Sequence, residues 1–521
     1  MLILTTLSFL FLGALALLLL RLFNPDFRYS WLLAVTSIFF AWVSVLFWQI
    51  KTPLVFTLPA WQPAILFPNS PDFLADQLSW AYAFSLATVG LGTLLTAIAR
   101  ENFPSSPAWA GTLALSGIGI LAVRAENPLA LVLAWTAIDL AELFTLLASV
   151  QERKLRERVV ISFSMRVIGS GFLIWASLVS TAAGTPLNFI SASKESGIYM
   201  LIAAGLRLGV FPMHLPFKTE SALRRGYGTM LRLTSAASSL ILLARIPYES
   251  LQSPFIPYVF VIVALTALYS SWMWFRASDT LDARPYWLLG MASLALIATL
   301  RANPVGSVAW GTALILSGGM LFLSSLQNKW LNRLLQLSLI AMSALPFTLT
   351  ATGWQSADTL WWAYWLILLS AQALLLAGYY RHAQRVKKTD FKSFSSLSRF
   401  IYPLGIGIIF FSLFLLGIWG WQGARAIGVW YLGIAVSILT LIFVWLRPRI
   451  RSLNPLEAHW LKPNTEEKTK TGRVYGLFWS LYYFLRRLSR LISNILESDG
   501  GILWTLLFII LFASLIAEGI R

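Results

Sequence analysis

The chain has 521 residues, 58% of them hydrophobic and 12% charged, with a net charge of +18. Its apolar runs repeatedly exceed about 18 residues, the length that reads as membrane-spanning, which excludes a soluble multidomain protein. The runs are continuous rather than alternating, so a β-barrel is excluded as well. Cysteine is absent, and with it disulfides, iron–sulfur clusters and thiolate sites.

The opening MLILTTLSFLFLGALALLLL lacks a basic leading region and a small-residue cleavage site, so it reads as a retained first span near 2–20. Further spans are expected near 30–49, 78–99, 107–124, 129–150, 159–181, 197–217, 227–246, 255–275, 284–301, 305–326, 331–353, 359–380, 400–420, 426–446 and 501–519. The fold class is therefore an all-α polytopic membrane protein of about 16 transmembrane helices. With the N-terminus outside, the cytoplasmic loops hold about twenty Lys and Arg, among them Arg153, Lys154, Arg156, Arg158, Arg385, Lys387 and Lys388. The opposite loops hold about six: Lys51, Arg124, Lys194, Arg245, Arg301 and Arg425. This asymmetry accounts for the positive charge as a topology signal and leaves no reason to invoke nucleic acid.

Five regions follow: two spans with a proline-rich external loop (1–76, containing a strand-like LVFTL), a first core region (77–246), a second with peripheral spans (247–446), a basic linker with an amphipathic segment near 474–497 (447–500), and a terminal span (501–521). The amphipathic segment carries Arg486, Arg487 and Arg490 beside aromatic and aliphatic residues, as an interfacial helix does. A plain juxtamembrane anchor accounts for it equally well.

Chemistry concentrates between the fifth and eighth spans. LIAAGLRLGVFPMHLPF (201–217) places Arg207 inside a hydrophobic run, followed by Pro212, His214 and Pro216. A charge at that depth costs at least about 2.5–3.5 kcal/mol and marks a functional hypothesis. The prolines predict a break in the helix, where it faces protein or a wet cavity. Pro346, in SALPFTL, predicts a second break in the twelfth span. Asp139 and Glu142 are three apart on the fifth span and share a face. Arg166 matches the depth of Glu142 across the hairpin with the sixth span, and Arg207 that of Asp139. A buried cluster of Asp139, Glu142, Arg166 and Arg207 is expected, with Arg232 snorkelling toward the cytoplasmic side.

That cluster has two readings. A buried carboxylate whose affinity for protons is set by neighbouring cations can load and release a proton. Alternatively, the acids and arginines neutralise one another and fix helix packing. His214 could pass protons, or simply bond a backbone carbonyl at the break. The three histidines, His214, His382 and His459, are too scattered for a metal cage. No P-loop or dinucleotide fingerprint is present, so no cofactor is expected. Asp72 and Asp76 lie on the outer side without the paired-acid motif of a membrane glycosyltransferase.

Several segments, in order, resemble the antiporter-like membrane subunits of respiratory complex I, membrane-bound hydrogenases and Mrp cation/proton antiporters. They are LADQLSWAYAF (74–84), NPLALVLAWTAIDLAELFTLL (127–147), GLRLGVFPMHLPF (205–217), GTMLRLTSAASSLILLARIP (228–247) and TLDARPYWLLGMASLALIATL (280–300). The resemblance implies two inverted five-helix repeats, each with a broken helix, conducting protons along midplane charges. Arg207 stands where that family has lysine, and arginine does not release its proton. Aligned on Trp135, Thr136 replaces the family's glutamate; aligned on Ile138–Asp139–Leu140, Asp139 substitutes for it. The eleventh and thirteenth spans lack the family's charged residues, the latter offering only Gln372.

The resemblance implies a proton-translocating subunit of a complex I-like or related membrane complex in a prokaryotic plasma membrane. Its partners would be other membrane subunits, lipids and protons or Na+. Any enzymatic role would be that of a membrane subunit of an NADH:quinone oxidoreductase-like or hydrogenase-like complex. The alternatives are a non-conducting scaffold of the same fold and a stand-alone secondary transporter.

Overall fold

The structure, a computed structural model, describes residues 2–24, 27, 29–57, 71–100, 104–150, 153–211, 213, 223, 225–356, 362–385, 389–390 and 395–447. Residues 1–457 form one compact unit, and a second unit covers 458–521. The expected amphipathic segment near 474–497 and the span at 501–519 therefore lie outside the described residues.

Fifteen helices occupy the described residues, ten of them long and apolar enough to cross a bilayer. In chain order they are α1 (Leu2–Phe23), α2 (Ser30–Lys51), α3 (Gln77–Thr96), α4 (Ser106–Val123), α5 (Pro128–Ser149), α6 (Arg153–Ala182), α7 (Lys194–Leu208) and α8 (Tyr227–Leu243). They continue with α9 (Ile256–Arg276), α10 (Arg284–Leu300), α11 (Pro304–Leu323), α12 (Lys329–Ala341), α13 (Trp362–Ala383), α14 (Ser396–Ile418) and α15 (Trp430–Leu446). This is an integral membrane protein. The strand-like LVFTL is a real strand, β1 (Leu54–Thr57), paired antiparallel with β2 (Asp72–Ala75).

Local chemistry sets the helix starts. Asp76 caps α3 by accepting from the Ser79 amide at 2.9 Å, while Ser79 Oγ accepts from the Asp76 amide at 3.0 Å. Burial opposes ionisation of Asp76, yet Arg245 at 2.8 Å and the Ser79 bonds outweigh it and hold the carboxyl below its ordinary value. α5 and α11 both open on Asn-Pro: Asn127 and Asn303 accept from amides three residues on, and the proline fills the first helical position.

Two helices stop midway, each four or five residues before a proline. α7 ends at Leu208, ahead of Pro212; α12 ends at Ala341, with Met342 as its cap, ahead of Pro346. A proline cannot donate to the carbonyl four residues back, so the last carbonyl it would have served is left for other partners. The expected breaks in the spans 197–217 and 331–353 are thus present, with α-helix over Lys194–Leu208 and Lys329–Ala341 among the described residues. Gly209 closes α7 with φ +76. Pro212 and Pro216 lie outside the described residues, as does His214.

The breaks fall on α7 and α12, five helices apart. In α4–α8, α4 packs on α5 and α8, α5 on α6 and α8, α6 on α7, and α7 on α8. The same pairs recur in α9–α13: α9 on α10 and α13, α10 on α11 and α13, α11 on α12, and α12 on α13. Five crossings deliver the chain to the opposite membrane face, so the second copy runs inverted. The most enclosed helices, α3 and α11, pack against each other where the two halves meet. α3 also carries α14, which covers the second half.

Beyond α12, residues 342–354 form turns, buried except around Phe347, with positive φ at Ala344 and Phe347. They are sealed by the α14–α15 region, where a Cβ on Gly428 would lie 1.9 Å from the Ala351 carbonyl oxygen. Gly428 also has φ +64. Gly428→Ala is expected to destabilise the protein by roughly 2–4 kcal/mol, from strain plus a forced backbone shift. A thermal unfolding midpoint in detergent unchanged from wild type would contradict this.

Candidate functional site: a buried ion-paired centre at the α7 break

α5, α6, α7 and α8 each project a charged side chain to one point. Arg207, in the last turn of α7, is bidentate on Asp139 of α5, with Nη1–Oδ2 at 2.6 Å and Nη2–Oδ1 at 2.8 Å. Its Nη1 also donates to Ser170 Oγ at 3.2 Å and to the Arg166 carbonyl at 3.3 Å, and its Nε to Ser239 Oγ at 3.4 Å. The guanidinium lies over the Trp135 ring, 4.1 Å from its centroid. Gly169 of α6 makes room: a Cβ there would sit 2.7 Å from Arg207 Cγ.

One turn along α5, Glu142 is shared. Arg166 Nη1 of α6 donates to its Oε2, and Arg232 Nη1 of α8 to its Oε1. Arg166 also reaches Asp139 Oδ1 at 3.5 Å, which links the two pairs. All five side chains are at most 10% exposed. Two carboxylates face three guanidiniums, so the centre carries one excess positive charge. Bidentate, charge-assisted contacts of this kind are the geometry arginine favours and lysine cannot reproduce.

The structure thus brings Asp139, Glu142, Arg166 and Arg207 together, with pairings that follow the depth matching along the chain. Arg232 differs from its expected place. It points inward rather than snorkelling, because α8 turns this face to α5 and Glu142 offers a second oxygen. Thr136 sits on the exposed face of α5 with its hydroxyl on the Val132 carbonyl, so of the two candidate registers only Asp139 meets the centre. Sequence reasoning missed Ser170, Ser239 and the Trp135 face. The signals were the Gly169–Ser170 pair one turn beyond Arg166, and the Ser235–Ser239 run on α8.

The second break is neutral. Gln372 of α13 donates Nε2 to the Met342 carbonyl at 2.9 Å, the carbonyl that Pro346 cannot serve, and accepts from Trp354 Nε1 at 2.8 Å. Thr350 Oγ1 donates to the Ala341 carbonyl at 3.1 Å and accepts from the Ala344 amide at 3.0 Å. These four contacts are uncharged hydrogen bonds. None of the helices α9–α13 contains an Asp or Glu.

No protein-family model and no curated protein matches the sequence. Solved structures do. A chain of the Mrp complex from Dietzia sp. DQ12-45-1b matches with a TM-score of 0.69 at 13% identity, over 100% of this chain and 63% of that one. This chain therefore spans less than two thirds of the Mrp chain it matches. The fold is that of an antiporter-like membrane subunit.

Two further structures share that antiporter-like fold. A chain of the membrane-bound sulfane sulfur reductase, an archaeal respiratory membrane complex, matches with a TM-score of 0.61 at 13% identity, over 98% of this chain and 99% of that one. A chain of respiratory complex I from Thermus thermophilus with bound NADH matches with a TM-score of 0.59 at 17% identity, over 84% of this chain and 100% of that one. Within the antiporter-like fold, the charged centre sits at the first helix break and the neutral amide at the second.

Proposed function

We propose that this chain is an antiporter-like membrane subunit of a multisubunit membrane complex, and that its charged centre is an ion-paired lock rather than a through-path for protons. The asymmetry between the two breaks carries the reading. At α7 two carboxylates are held by three arginines, none of which can relay a proton. At α12 the carbonyl freed by Pro346 is met by an amide, and α9–α13 hold no carboxylate to continue a relay. The lock would pin α5, α6, α7 and α8 together and set the field of the first half for neighbouring subunits. The positive-inside asymmetry supports an N-terminus outside, and the prokaryotic sources of the similar structures support a prokaryotic plasma membrane.

A second reading is proton translocation through this chain, with Asp139 and Glu142 as the loading site. The hydroxyls of Ser170 and Ser239 beside Arg207 favour it, since they supply exchangeable groups at a helix break. Proton uptake by proteoliposomes carrying the assembled complex separates the two. Gln372→Met removes the polar group at the second break. The lock predicts unchanged uptake per assembled complex; a loss of tenfold or more at normal abundance would transfer the assignment to conduction.

A further inference from the structure

Arg124 is the buried cation that the charged centre does not use. It follows α4, is 1% exposed, and none of its three guanidinium nitrogens has a hydrogen-bond partner in the protein. By contrast, Arg166, Arg207 and Arg232 sit on carboxylates, and Arg301 donates to the Trp354 carbonyl at 3.2 Å. The Arg124 main chain is fixed, its amide bonded to the Leu121 carbonyl at 3.1 Å and its carbonyl to the Leu74 amide at 2.8 Å. The guanidinium lies over the Trp48 ring of α2, 4.7 Å from the centroid. Trp48 is fully buried, and its Nε1 also lacks a partner. A guanidinium and an indole N–H, in side chains that touch each other, are therefore both buried without an acceptor.

Neither Asp72 nor Glu126, the acids flanking this turn in β2 and after α4, forms an ion pair with Arg124. Glu126 accepts from Asn188 Nδ2 at 2.9 Å. Burial, and then the neighbouring Glu126, push the Asp72 carboxyl up, the reverse of what an adjacent guanidinium does. A buried cation demands both charge compensation and acceptors for its N–H groups. An unmatched charge of +1, paired with a neutral N–H donor, selects an anion over a neutral acceptor. Enclosure at 1% exposure selects a small one, since a phosphate or carboxylate headgroup needs an open mouth for the rest of its molecule.

We propose that Arg124 and Trp48 form a site for a small monovalent anion of the halide class, held by the guanidinium and the indole N–H. The site is independent of the ion-paired lock, being built on α2 and the end of α4 rather than on α5–α8.

Bromide is the probe. Crystals of the full chain grown in sodium bromide should show an anomalous peak within hydrogen-bonding distance of the Arg124 guanidinium. In detergent, the unfolding midpoint of wild type should be higher in chloride than in gluconate at equal ionic strength, and Arg124→Gln should abolish that difference. Trp48→Phe keeps the ring face and removes the N–H, so it should weaken apparent chloride affinity about tenfold, the weight of one charged hydrogen bond. This milder variant keeps the test open if Arg124→Gln fails to fold. No anomalous peak at Arg124, only ordered water there, or an identical chloride response in Trp48→Phe would each overturn the proposal.

Discussion

Replacing Glu142 with glutamine is expected to cost about 3–5 kcal/mol of stability, the range for leaving a buried charge uncompensated. Glu142 holds Arg166 through one oxygen and Arg232 through the other, so its loss releases two cations together. The balance of two acids against three arginines becomes one against three. Neutralising an arginine should be milder, because Arg166→Gln leaves two acids facing two arginines. This order, acid worse than base, is the signature of a centre with excess positive charge. Membrane yield and unfolding midpoint of the two variants in detergent measure it; equal losses would show that packing, not charge, governs the site.

The second large effect concerns the bidentate pair. Asp139→Asn should cost a similar amount, about 3–5 kcal/mol, since Arg207 is buried and takes both oxygens. Adding Arg207→Met should recover much of that loss. The methionine fills the channel beside Gly169 and over Trp135 without a charge, and apolar replacement of buried ion pairs is often neutral or stabilising. The four-corner cycle of wild type, both singles and the double reads the coupling directly. Additive losses would mean that the two side chains do not act as a pair. Recovery of stability in the double variant, with uptake per complex intact, would support a lock over a relay.

These expectations rest on positions that the sequence marked with unequal clarity. Hydrophobic run length alone defined thirteen of the fifteen described helices closely and supplied the membrane class, because about 20 apolar residues have one stable solution in lipid. Pro346 announced the α12 break, although the helix stops at Ala341, one residue before the carbonyl that the proline leaves unserved. Depth counting along antiparallel spans paired Asp139 with Arg207 and Glu142 with Arg166, since rise per residue is fixed.

What the sequence determined by itself was a polytopic helical bundle with two interrupted helices and acids and arginines buried at matching depths. Only the tertiary structure decided the faces those residues turn. It brought Arg232 inward onto Glu142, set Thr136 outward, placed Ser170 and Ser239 around Arg207, and left Arg124 over Trp48 without an acceptor. The reason is geometric. Depth along a span follows from chain length, whereas rotation about its axis is set by packing against neighbours distant in sequence.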